Sequence, residues 1–213
     1  MPNTPGRPSR SDGDRSREAI LEAAAALATV EGIDGLSLAG LATATGMSKS
    51  GVFGLFGSKE ELQRAVIGHA RAVFVREVVL PAFTAPPGLA QLRALCLAYL
   101  DHVERRDYPG GCFFASVAAE VGSRPGPVRD LIAAEHDAWI TLLTDQAQRA
   151  ADSGELPAGN DPTRLAVELG TMLTGADIAY LLHDDPQIIE IVRSAVNIRL
   201  VAGKAGKRRR GSE

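Results

Sequence analysis

The sequence predicts an all-α protein: a small N-terminal helical domain followed by a larger helical one. Three observations carry this. Apolar residues recur at the i, i+3, i+4 spacing of a helix face, and no segment sustains the period-two alternation of a half-buried strand. The breaks between periodic segments carry helix start and stop chemistry, with Ser or Asp caps, Pro at a first helical position and Gly at an end. The 213 residues, 45% hydrophobic and 23% charged, suffice for a small domain joined to a larger one.

Taken in order, residues 1–14 are rich in Pro, Gly, Ser and Arg and read as a disordered arm. From Arg15 the stripe Ile20, Ala23, Ala24, Leu27 and Ala28 predicts a helix ending near Glu31-Gly32. Ser37 is the expected N-cap of a short helix over 38–44, Gly46 breaks the chain, and a second short helix follows over about 48–53. Ser58-Lys59-Glu60-Glu61 is a capping box, Ser followed three residues later by Glu, and opens a helix with the buried stripe Leu62, Val66, His69 and Val73. Residues 86–88 form a loop before a helix over 89–105. The break Asp107-Tyr108-Pro109-Gly110-Gly111 precedes a short helix over about 113–121. Pro127 starts a long helix running to about residue 153, since proline at the first helical position gives up no needed donor. Asp161-Pro162 and Asp185-Pro186 repeat one device, an acidic cap followed by proline, and open the last two helices, about 162–183 and 186–202. Residues 203–213 form a basic tail.

Those last two helices are apolar on nearly every side. Leu165, Val167, Leu169, Met172, Leu173, Ile178, Leu181 and Leu182 surround the first; Ile188, Ile189, Ile191, Val192, Val196, Ile198 and Val201 surround the second. A helix apolar all round must be covered on more than one side, so one side is expected against its own core and the other against a second copy of the chain. Thr171, Gly175 and Ala179 make a small-residue stripe that would admit a close helix.

Bulk charge argues against a general electrostatic hold on nucleic acid. The net charge is −3, and the last eleven residues carry a local +4, leaving about −7 over the rest. Any DNA affinity must come from a few placed groups. The two short helices broken at Gly46 and packed on a longer one make a helix-turn-helix by pattern. Ser37, Ser48, Lys49, Ser50 and Lys59 fall at or near helix N-termini, where free N–H groups and the positive dipole end suit a phosphate. Gly51 and Gly54 keep the second short helix slim enough to approach base edges, and Leu55 either packs inward or meets a thymine methyl.

The stretch LSLAGLATATGMSKSGVFGLFGSKEEL, residues 36–62, resembles the DNA-binding signature of the TetR (tetracycline-repressor) family of bacterial regulators. Ser37 takes the hydroxyl position, Thr45-Gly46-Met47-Ser48 the turn, Phe53 and Phe56 the aromatic pair, and residues 58–62 the closing box. The stretch GCFFASVAAE, residues 111–120, is similar to one found in part of the family. The resemblance implies phosphate contacts from Ser37, Ser48, Lys49 and Lys59, a major-groove position for Ser50, Gly51 and Gly54, and backbone or sugar contact from Phe53, which stands where the family usually has Tyr. It implies a DNA-binding domain over 15–60, a ligand-binding and dimerisation domain over 61–202, and double-stranded DNA, a small-molecule effector and a second copy of the chain as partners. The expected function is a repressor released from a palindromic operator by a small, mostly apolar molecule.

Phe83, Tyr99, His102, Cys112, Phe113, His136, Trp139, Met172 and Tyr180 supply the apolar walls and few polar tips of a small-molecule pocket. None of the four histidines has a partner at metal-ligand spacing, and no nucleophile turn, phosphate-binding loop or dinucleotide fingerprint is present. No metal, cofactor or catalytic residue is therefore expected. The alternative is an enzyme or carrier whose helix-turn-helix is only structural. Cys96 and Cys112 read as buried reduced thiols. With a polar N-terminus and no apolar run of about 20 residues, the expectation is a cytoplasmic protein without a membrane partner.

Overall fold

The computed structural model describes residues 10–156 and 159–201, with backbone alone for 10–14. Every regular element among the described residues is helical, with no strand: α1 (Arg10–Glu31), α2 (Leu38–Thr45), α3 (Lys49–Phe56), α4 (Lys59–Phe74), a π-helical turn (Val75–Val79), a short turn α5 (Leu80–Ala82), α6 (Leu89–Arg105), α7 (Phe113–Val121), α8 (Pro127–Asp152), α9 (Pro162–His183) and α10 (Pro186–Arg199). The expected N-terminal arm lies partly outside the described residues. Its last five residues are helical, because extending a formed helix gains a hydrogen bond for each residue fixed. The basic tail lies outside them altogether.

The expected caps at Ser37, Asp161 and Asp185 are made: Ser37 Oγ accepts from Gly40 N–H, Asp161 from Arg164 N–H and Asp185 from Gln187 N–H. Ser48, expected as the first residue of the second short helix, caps it instead, its Oγ accepting from Gly51 N–H, and that helix runs on past Phe53 to Phe56. The capping box forms by half. Ser58 Oγ accepts from Glu61 N–H at 3.1 Å, but Ser58 N–H donates to the Phe56 carbonyl and leaves Glu61 no reciprocal donor. The π-helical turn is a feature that periodicity does not reveal. Pro81 cannot donate to the carbonyl of Glu77, and the preceding turn widens so that Leu80 N–H reaches Val75 O, five residues back.

The chain divides into two compact units, residues 1–72 with 108–132, and residues 73–107 with 133–213. The unit that holds the helix-turn-helix thus extends past residue 60 and takes in α7. Its core joins Ile20, Ala24 and Ala28 of α1 to Leu41, Val52, Leu62 and Val66, and to Phe113, Val117 and Val121 of α7. In the other unit α6, α9 and α10 pack together around Leu92, Leu95, Leu100, Leu165, Leu169 and Leu173. The helix Pro162–His183 is, by length and composition, apolar enough to cross a membrane. A core helix passes the same test, and the expectation that no apolar run reaches about 20 residues stands, since Arg164, Glu168 and Asp177 interrupt this one; Asp177 is itself buried.

Candidate nucleic-acid interface

The turn between α2 and α3 is built by Gly46, which ends α2 in the left-handed region (φ 68°) with its N–H on the Thr43 carbonyl. Only glycine takes that conformation without a Cβ penalty. Leu41 and Ala42 from α2, and Val52 and Phe56 from α3, are buried and anchor the pair. Leu55 is half-buried against the same core, which resolves its two sequence readings in favour of packing.

The opposite face is open. Ser48, Lys49, Ser50 and Gly54 are exposed, and Phe53 beside them is 56% exposed. Ser48 and Ser50 lie with their hydroxyls 3.2 Å apart at the N-terminus of α3. The two glycines of α3 differ. A Cβ on Gly54 would meet nothing, so its smallness has no reason inside the protein, whereas one on Gly51 would press on Ser48 Oγ at 3.1 Å. Ser37 and Lys59 are exposed at the N-termini of α2 and α4, and the Lys59 ammonium donates to the Asp34 carbonyl, which leaves it further protons to give.

Helix α4 is fastened to α1 at a buried imidazole: His69 Nδ1 lies 3.2 Å from Glu18 Oε1 and Nε2 2.8 Å from Glu22 Oε2. Gln63, Asp34, Glu120 and Arg124 also hold the helix-turn-helix together, and sequence reasoning did not single them out. The stretch 111–120, which ends on Glu120, was the available signal.

The expected pocket residues separate. Tyr99, His102 and Trp139 come together in the second unit, joined by Phe74, which the sequence reading missed. The Phe74 ring meets Trp139 edge-on at 5.3 Å, His102 at 6.0 Å and Tyr99 at 6.1 Å, and Tyr99 stacks on Trp139 at 6.0 Å. His102 is buried; burial pushes its pKa below the usual imidazole value, against a raising influence from Asp107, 3.5 Å away. Tyr180 is buried beneath the Arg106 guanidinium, 4.3 Å from its ring centroid. Cys112 and Phe113 are buried in the first unit. Phe83 and His136 face solvent, because each falls on the outer side of its segment, and Met172 is half-buried along an open groove on α9 with Val167 and Thr171. Burial pushes the Cys96 thiol up to about 12, so it stays protonated.

The chain matches the family model of bacterial regulatory proteins, tetR family, over residues 20–66, and that of the tetracyclin repressor-like C-terminal domain over residues 88–196. It is 26% identical over 175 residues to the HTH-type transcriptional repressor ComR of Escherichia coli (strain K12), covering 82% of this chain and 81% of the relative. A TetR transcriptional regulator from Chloroflexus aurantiacus J-10-FL shares the fold with a TM-score of 0.82 at 23% identity, covering 90% of this chain and 98% of that one. AibR, solved in complex with isovaleryl coenzyme A and operator DNA, shares it with a TM-score of 0.71 at 22% identity, over 88% of this chain and all (100%) of that one.

Proposed function

The chain belongs to the TetR family of bacterial regulatory proteins, and from that premise we propose that it is a ligand-responsive transcriptional repressor acting on double-stranded DNA as a homodimer in the cytoplasm. The observation that carries this reading is the exposed face of α3: hydroxyls, a lysine, an open glycine and an unpartnered aromatic on a helix held by two capped turns. Ser37, Ser48, Lys49 and Lys59 grip phosphates, Ser50, Gly51 and Gly54 lie toward base edges, and Phe53 covers sugar or backbone.

The dimer forms through α9 and α10. Val167, Thr171, Gly175, Ile178 and Leu182 share one exposed face of α9, and Ile191, Ile198 and Val201 are exposed on or just beyond α10. An apolar surface of this extent calls for a partner, and an isologous contact uses the same patch twice. The effector is mostly apolar and binds beside the cluster of Phe74, Tyr99, His102 and Trp139. Phe74 is the last residue of α4, the helix that begins at Lys59, so moving that ring shifts a DNA-contacting helix. A hundredfold preference of the effector for the non-binding form supplies about 2.7 kcal/mol of coupling. The chemistry of this reading is recognition, with no catalytic step.

Selection from a random duplex pool with the full chain tests it. The expected product is a near-palindrome with half-sites about one helical turn or more apart. Lys59→Ala should weaken binding to all sequences alike and flatten the salt dependence by about one unit. A pool with no enriched sequence supports the alternative, in which the helix-turn-helix is structural.

A further inference from the structure

The turn joining α1 to α2 is gripped by a helix from far along the chain. After Gly32 (φ 82°), the Ile33 and Asp34 N–H groups both donate to the Glu120 carboxylate, to Oε2 at 2.6 Å and Oε1 at 3.1 Å. Successive N–H groups after a left-handed residue form an anion-binding concavity, and here the anion is the protein's own side chain. A Cβ on Gly32 would sit 2.8 Å from that carboxylate. Arg124, one turn beyond, donates to Asp34 Oδ2 at 2.8 Å, to the Glu120 carbonyl at 2.9 Å and, more loosely, to Glu120 Oε1 at 3.4 Å. Helix α4 takes the other groups of the same turn: Lys59 donates to the Asp34 carbonyl, and Gln63 Nε2 to the Ile33 carbonyl and Asp34 Oδ1, each at 3.1 Å. All these residues lie in one unit.

We infer that Glu120 is a positioning residue for DNA binding, which rests on the DNA-binding reading above. The turn it holds leads directly into Ser37, the cap of α2, and is bonded to Lys59, the first residue of α4. Its geometry therefore sets how far apart these two phosphate-directed groups stand. The chain reaches α7 from residue 107 and leaves for residue 133, both in the other unit, so a segment from the middle of the sequence completes the DNA-reading half. Without the carboxylate, two amides lose their charge-assisted acceptor and Arg124 loses one of its two carboxylate partners.

The sign of the effect separates positioning from charge. Removing a carboxylate near bound DNA would by electrostatics alone tighten binding, whereas loss of positioning weakens it. The test compares wild-type protein, Glu120→Gln and Glu120→Asp on the duplex selected by wild type, following affinity, salt dependence and exchange at the Ile33 and Asp34 amides. Glu120→Gln should bind at least about tenfold more weakly with an unchanged salt slope, since Glu120 touches no phosphate. Both amides should exchange faster, and Glu120→Asp should recover part of the loss. If Glu120→Gln binds as tightly as wild type or tighter while those amides exchange faster, the inference is overturned alone. A wild-type protein that selects no duplex overturns the functional reading and this inference with it. Should Glu120→Gln fail to fold, Glu120→Asp decides by the same readouts, its shorter reach giving weaker binding with an unchanged slope.

Discussion

Gly175→Glu separates the proposed dimer interface from the fold of the protomer. Gly175 sits mid-helix in α9, exposed, and a Cβ built on it meets no atom within 4 Å. Inside one protomer the substitution is therefore free of clash, and replacing a helical glycine gains up to about 1 kcal/mol of helix propensity. In the dimer the position lies among Thr171, Ile178 and Leu182, the latter two 51% and 72% exposed in the single chain. An unpaired charge buried at such a contact costs roughly 3–5 kcal/mol, and twofold symmetry places it there twice. Even if the longer side chain escapes partly to water, a loss of about 3 kcal/mol weakens the dimer more than a hundredfold. Sedimentation velocity across nanomolar to micromolar protein, with circular dichroism beside it, should show a wild-type dimer and a helical Gly175→Glu monomer. Gly175→Ala, which adds a methyl and no charge, is the control. A Gly175→Glu protein as dimeric as wild type, or a wild type that is monomeric at micromolar concentration, would refute the reasoning.

Two further perturbations test the packing. A Cβ at Gly110 would lie 1.9 Å from the Thr29 carbonyl oxygen, so Gly110→Ala must push the 108–112 turn off α1; a loss of about 2–3 kcal/mol in unfolding free energy, read as a lower urea midpoint, is expected, and an unchanged midpoint would show that the turn yields freely. His102 has a folded pKa held below 6.5 by burial, so the unfolded chain takes up its proton first as pH falls. Its contribution is complete above about pH 6.5 and is lost as pH drops toward the folded value. His102→Asn should flatten that slope in denaturant titrations between about pH 5 and 7; an unaltered slope would mean that His102 is not the group responsible.

Much of the architecture was legible because it is local. Caps act on N–H groups two or three residues away, so Ser37, Ser58, Asp161 and Asp185 announced their helices, and α6 and α7 begin and end where periodicity placed them. The surface proposed to face DNA could be named from the sequence for the same reason: it occupies one continuous stretch, residues 37–59. The π-helical turn escaped because its cause, Pro81, acts back through the helix rather than through a pattern of apolar residues. The pocket residues could not be grouped from composition, since Phe74 joins Tyr99, His102 and Trp139 only once three separate helices meet, while Phe83 and His136, as aromatic as the rest, turn outward.

What the amino-acid order determined alone was the helices, their ends, and the face that α3 leaves free. What only the tertiary structure decided was which distant helix completes the DNA-binding unit. Glu120 reaches Ile33 across 87 positions, and no local rule of spacing or propensity operates over that separation. The pairing rests on the burial of Phe113, Val117 and Val121 against α1, and the carboxylate finds its two amides only because that packing has already brought them together.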